Sequence, residues 1–193
     1  MGCLWAAHLH HSTTSAIKTK ASHHIKFIST RAIENTSILI DIQSAFLPHI
    51  PQTEHTRFSV ESTHTTSRID TLIVCTKSYD CYPALQQLQN HLHSKTKIIL
   101  FQNGLGSQYQ VLDALPDIPL YAAVTTEGVN KRSMTQIIHA GQGTTRIGPL
   151  NKAAEEAATF EQCIHLLSHK GINVKKEHDI WPALWNKLSI NCA

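Results

Sequence analysis

Lys97-Ile98-Ile99-Leu100-Phe101-Gln102-Asn103-Gly104-Leu105-Gly106 is the stretch on which the fold reading turns. A continuous apolar run bounded by polar residues reads as a strand buried on both faces. Two amides and two glycines follow it within five residues. Leu72-Ile73-Val74-Cys75 has the same continuous apolar character, and Tyr121-Ala122-Ala123-Val124-Thr125 gives a third strand. Between the first two, the segment from Pro83 to His93 reads as a helix with Leu85, Leu88 and Leu92 on one face. Strands alternating with helices predict an α/β domain, doubly wound around a largely parallel sheet.

Working outward, Met1 to Leu9 reads as the start of a helix and residues 25–29 as a strand. Residues 37–42 and 57–60 alternate in part, as exposed antiparallel strands do, and the segment between them holds Pro48 and Pro51 and reads as a loop. The Ser/Thr/His-rich stretches 10–24 and 52–68 read as loops or exposed edges. Residues 135–139 and 144–148, separated by Ala140-Gly141-Gln142-Gly143, predict a hairpin. A helix is expected from Ala153 to His169, with Phe160, Ile164 and Leu167 inward and Gly171 as its stop. A short strand at 173–174 and a helix from Trp181 to the end complete the chain.

The totals narrow the function classes. With 41% hydrophobic and 16% charged residues, the chain can bury a core and is not disordered. A net charge of +3 without a basic tract gives no indication of nucleic-acid binding. No apolar run is long enough to span a bilayer, and the N-terminus lacks the basic-then-apolar order of a secretory signal. The five cysteines form no CxxC pair, so reduced thiols in a cytoplasmic protein are the simple reading. The 14 histidines are scattered, make no metal-ligand set and are expected to be exposed.

In open parallel sheets, ligands bind beyond the carboxyl ends of the strands. Arg31, Thr76-Lys77, Asn103-Gly104 and Thr125-Thr126 fall at four successive such ends. Any one alone is an ordinary polar loop; together, with glycines that admit a ligand to the backbone, they favour a nucleotide-type crevice. Arg31 follows the strand where a dinucleotide fold reads the adenosine ribose, and an arginine there suits a 2′-phosphate, hence NADP over NAD. Gly2 could be the last glycine of a GxGxxG turn, although alone it carries almost nothing. Lys187 and Asn191 lie one helical turn apart on one face. The plain reading of Lys187 is a surface lysine. The functional one is an ammonium group that hydrogen-bonds a carbonyl oxygen, stabilises its growing negative charge as hydride arrives and delivers the proton; partial burial would lower its pKa.

The chain resembles the ketopantoate reductase (2-dehydropantoate 2-reductase) family over essentially its whole length. The resemblance is carried by Leu72-Ile73-Val74-Cys75-Thr76-Lys77, Phe101-Gln102-Asn103-Gly104-Leu105-Gly106, Val124-Thr125-Thr126-Glu127-Gly128, His139-Ala140-Gly141-Gln142-Gly143 with Ile147-Gly148-Pro149, and Leu184-Trp185-Asn186-Lys187-Leu188-Ser189-Ile190-Asn191-Cys192. It implies NADPH-dependent reduction of 2-dehydropantoate to pantoate, on the route to pantothenate and coenzyme A. On this resemblance Lys187 is the catalytic lysine and proton donor, and Asn191 binds substrate. Asn103 lines the nicotinamide and substrate site, Lys77 lies near the cofactor, Gly2 ends the glycine fingerprint, Arg31 suits NADP, and Val129 falls on a backbone contact.

The resemblance also implies a chain truncated at both ends relative to the family. The expected arrangement is a Rossmann-like NADP-binding domain over 1–178 lacking its first strand, then the first helix, 179–193, of a C-terminal helical substrate domain. Such a piece is expected to fold poorly and bind NADPH weakly, since losing a central strand leaves backbone groups unpaired. The alternatives are a non-catalytic nucleotide-binding remnant and a reductase of another small 2-oxo acid. The expected partner is a small-molecule 2-oxo acid, with no nucleic acid and no membrane.

Overall fold

The computed structural model describes residues 2, 4–6, 9–10, 25–30, 36–46, 53–64, 66–168 and 172–192. The chain divides into two units: Ser67–Thr125 with Thr144–His165 and Val174–Ala193, and Met1–Thr66 with Thr126–Gly143 and Leu166–Asn173. The strands lie in two five-stranded sheets of mixed direction, and the α/β class expected from the sequence is borne out. Arg31 and Gly171 lie outside the described residues.

The first of these units carries the apolar runs. Its strands include β4 (Thr71–Val74), β5 (Lys97–Leu100), β6 (Leu120–Thr125), β9 (Thr144–Pro149) and β10 (Asn173–Lys176), in the spatial order β10-β9-β6-β5-β4. β4, β5 and β6 are parallel, with Val74 opposite Leu100 and Leu100 opposite Ala122, so their carboxyl ends share one edge of the sheet. All of β6 and most of β5 are buried. β4, expected to be buried on both faces, is mostly half-buried because it is an end strand. Helix α1 (Ser78–Leu88) starts five residues ahead of Pro83, where the sequence placed its beginning. Proline inside a helix costs one hydrogen bond. Burial of Cys81, Ala84, Leu85 and Leu88 along one face offsets it.

Helix α2 (Ser107–Ala114) carries little apolar patterning, and the sequence reading contained no helix there. It is seated by buried Ser107, Gln108 and Val111. Helix α3 (Ala157–Leu167) stacks Phe160 on the Tyr121 ring at 5.4 Å between centroids. Helix α4 (Trp181–Cys192) closes the unit. Ile180 and Leu184 join Ala122 and Val124 in one apolar cluster, against which Leu105 and Leu150 also pack.

The other unit has the order β1-β3-β2-β8-β7, where β1 is Lys26–Ser29, β2 Ser37–Ser44, β3 Thr53–Ser62, β7 Gly128–Lys131 and β8 Gln136–Gly141. β2 and β3 are antiparallel, as their alternation predicted. β3 begins at Thr53 and so takes residues from the expected loop. Ile40, Ile42 and Phe58 are buried here, and so are Leu4 and Trp5 of the helical N-terminal residues.

The hairpin predicted around Ala140-Gly141-Gln142-Gly143 does not form. β8 pairs with β7 and β2, whereas β9 pairs with β6 in the other sheet. A Cβ at Gly143 would sit 2.4 Å from the Thr126 carbonyl carbon. The chain at that point is packed on the 126–127 peptide rather than folded back onto β8.

Gly148 fixes where α4 starts. A Cβ there would meet the Glu177 carbonyl oxygen at 2.8 Å and Ile180 Cβ at 2.9 Å, so only glycine lets the lead-in to α4 lie on β9. Gly148→Ala is therefore expected to cost about 1–3 kcal/mol through overpacking. Thermal or denaturant unfolding checks this, and an unchanged midpoint would show that the contact is loose.

Candidate active site

Lys187 stands on the second turn of α4, three residues past Leu184, the last residue of that helix in the apolar cluster. Its Nζ donates a hydrogen bond of 2.7 Å to the carbonyl oxygen of Thr125, the last residue of β6. The Thr125 hydroxyl is bound separately, accepting from Thr145 Oγ1 at 2.8 Å. Lys187 is half-buried, and burial lowers its pKa below the ordinary lysine value. The partial burial expected from the sequence is thus present, and the ammonium points at the strand end rather than into bulk water. Asn191 lies one turn further along α4 and is exposed.

The amide-glycine segment leaves β5 at the same sheet edge. Gly104 and Gly106 have φ of +89° and +116°, a region that side chains with a Cβ rarely adopt. These angles turn the chain from β5 into α2, and Leu105 between them packs on the cluster that holds α4. The two amides ahead of them have opposite fates. Asn103 is exposed, whereas Gln102 is buried and donates from Nε2 to the Val74 carbonyl at 3.0 Å. Gln108 Nε2 donates to the Gly104 carbonyl at 3.2 Å and braces the turn. Lys77 is exposed at the N-cap of α1, whose N-terminus no side chain caps.

Lys77, Asn103, Lys187 and Asn191 therefore belong to one unit, with Lys77, Asn103 and Lys187 at or beyond the carboxyl ends of β4, β5 and β6. Gly2 and Val129 belong to the other unit. Gly2 is helical and half-buried, and Val129 lies on β7 opposite His139 of β8. A helix start without a side-chain cap, a lysine and glycines at a parallel sheet's carboxyl edge suit the phosphates and backbone contacts of a nucleotide. Among the described residues no group of three or more His, Cys, Asp or Glu side chains could hold a metal ion. No helix among them is long and apolar enough to cross a membrane.

The ketopantoate reductase PanE/ApbA family matches residues 1–152 of this chain. The chain belongs to that family. A 2-dehydropantoate 2-reductase from Vibrio cholerae is 28% identical over 193 residues, which are 100% of this chain and 58% of the relative. The chain thus spans little more than half the length of that relative. The solved 2-dehydropantoate 2-reductase from Geobacter metallireducens GS-15 shares the fold with a TM-score of 0.76, at 18% identity, over 98% of this chain and 59% of that one. The ternary structure of D-mandelate dehydrogenase with NADH and anilino(oxo)acetate shares it with a TM-score of 0.64, at 19% identity, over 78% of this chain and 47% of that one.

One buried polar cluster of this ketopantoate reductase family member departs from the expectation that the histidines are exposed. His139 is only 2% exposed. Glu127 Oε2 lies 2.6 Å from its Nε2 and Ser44 Oγ lies 2.9 Å from its Nδ1. The Phe46 N–H donates to Ser44 Oγ at 3.2 Å, so the hydroxyl proton can go to Nδ1 while the Nε2–H serves the carboxylate. The sequence signal was available: β8 alternates, and His139 is in phase with Ile137, which also faces inward. Breaking such a buried pair leaves the other group uncompensated, so His139→Ala is expected to cost about 3–5 kcal/mol in unfolding free energy. A loss below about 1 kcal/mol would place the pair in solvent.

The lowered pKa of Lys187 has a definite sign. The unfolded chain holds this proton more tightly than the folded chain does, so stability rises with pH between the folded pKa and the ordinary value of 10.5. Against Lys187→Met, the unsubstituted chain should therefore gain stability as the pH is raised toward 10.5. A pH-independent difference between the two unfolding curves would mean that the ammonium is solvated.

Proposed function

We propose that this chain carries the cofactor and proton-donor side of an NADPH-dependent 2-dehydropantoate 2-reductase, acting in the cytoplasm on the route to pantothenate and coenzyme A. The observation that carries the reading is the half-buried Lys187 ammonium, held on the Thr125 carbonyl where three parallel strands end. Family membership supports the reaction class. In this reading residues 1–178 bind the nucleotide and residues 179–193 open a helical substrate domain.

The chemistry asks little of the protein beyond position and charge. A nicotinamide held by these residues would supply the hydride for the ketone carbon of the 2-oxo acid. Lys187 can exchange the Thr125 carbonyl for the ketone oxygen, since both are carbonyl acceptors of the same N–H. As the carbon–oxygen double bond opens, the ammonium stabilises the developing alkoxide and gives it a proton, leaving a neutral amine that water reprotonates. Burial favours that transfer because it already disfavours the charged form. Asn191, one turn along, and Asn103, at the end of β5, are the substrate and nicotinamide contacts of this reading. Lys77, Gly2 and Val129 are its further cofactor contacts, and Arg31 is the group that selects the 2′-phosphate of NADPH over NADH.

Lys187→Ala is expected to lower kcat for NADPH oxidation with 2-dehydropantoate by about 100-fold or more while leaving the Kd for NADPH within about twofold. The assay is run with NADH and with a second 2-oxo acid in parallel. Undiminished turnover in the variant would remove Lys187 from the mechanism, and preference for the second acid would reassign the substrate.

A further inference from the structure

We propose that Gln102 is the hydrogen-bond acceptor for the nicotinamide half of the nucleotide, a role that rests on the reductase reading above. Gln102 is 4% exposed and lies two residues past the end of β5, directly before Asn103 and Gly104. Its carboxamide cannot turn freely. Nε2 donates to the Val74 carbonyl at the end of β4, which fixes the orientation of the group. The other end, Oε1, is buried and has no hydrogen-bond partner.

A buried acceptor without a partner destabilises a fold, and native proteins leave few of them. One at the carboxyl edge of a parallel sheet, among the residues of a candidate nucleotide site, is accounted for by a ligand that supplies the donor. The chemistry narrows that ligand. Oε1 only accepts, so phosphate oxygens and the substrate carboxylate cannot satisfy it. The donors of a nicotinamide dinucleotide are the carboxamide N–H, the ribose hydroxyls and the adenine amino group, and the place of Gln102 directly before Asn103, the nicotinamide contact of that reading, selects the nicotinamide half. Gln102 and Asn103 then divide the work: one amide is fixed and inward, the other exposed.

Stability and affinity should move in opposite senses. Gln102→Met keeps the length of the side chain and removes the orphan acceptor, while the Val74 carbonyl retains its hydrogen bond from the Phe101 N–H at 2.9 Å. The variant is expected to unfold at the same or a higher temperature and to bind NADPH about three- to tenfold more weakly in a nicotinamide fluorescence titration. Adenosine 2′,5′-bisphosphate, which lacks the nicotinamide half, should bind both proteins equally. Gln102→Leu repeats the measurement with a different shape. A lower melting temperature with unchanged NADPH affinity in both variants would make Gln102 purely structural and overturn the proposal. Equal weakening of adenosine 2′,5′-bisphosphate, or a raised KM for 2-dehydropantoate alone, would also overturn it. The reductase reading survives all three results. Absence of saturable NADPH binding by the unsubstituted chain would overturn that reading and this one together.

Discussion

The hydrogen bond from Lys187 to the Thr125 carbonyl is the constraint around which one whole unit is arranged. An ammonium group leaves water only where packing forces it to, and here the force is apolar. Ile180 and Leu184 bury themselves with Ala122 and Val124 and draw the first turn of α4 down onto β6. The next turn then has nowhere to place Lys187 except at the strand's end. Gly148 makes the approach possible by yielding the space that a methyl group would fill. The cost of desolvating the charge is thus met by contacts that contain no charge at all. The single backbone acceptor leaves the ammonium readily transferable to another carbonyl.

The edge where β4, β5 and β6 end has a second feature of the same kind. Successive residues leaving a strand point to opposite sides, so adjacent amides cannot share an environment. Gln102 goes inward and locks to Val74, and Asn103 goes outward. The glycines that follow turn the chain into α2 through angles other residues avoid, and Leu105 is thereby set against the cluster that carries α4. Tyr109 of α2 stacks on Trp181 of α4 at 4.8 Å, which ties the two helices beside this edge. Small displacements of the amide loop and of the lysine are therefore coupled through ordinary packing.

Much of this was legible residue by residue. The continuous apolar runs announced β4, β5 and β6, because burial on both faces leaves no position for polar residues. The i,i+4 pair Lys187 and Asn191 marked α4, and the polar residues after each strand marked the edge. Other elements were hidden for physical reasons. α2 is short and polar, and tertiary seating rather than periodicity makes it a helix. Pro83 looked like a helix start because proline suits a first turn, yet the buried stripe of α1 outweighs one lost bond. Gly141 and Gly143 looked like a hairpin turn, but strand pairing is settled by partners far away in sequence. The Ser44–His139–Glu127 cluster joins residues up to 95 apart, which no local pattern reveals.

The amino-acid sequence by itself determined the strands and helices with strong apolar patterning, the α/β class, the family, and the side chains that could do reductive chemistry. These follow from periodicity and residue type, which are local properties of a chain. Only the tertiary structure decided that Lys187 meets the Thr125 carbonyl, that Gln102 rather than Asn103 is buried, and that His139 is sealed from solvent. Each of those depends on which distant surfaces exclude water from a group, and burial is a property of the assembled packing rather than of any segment of it.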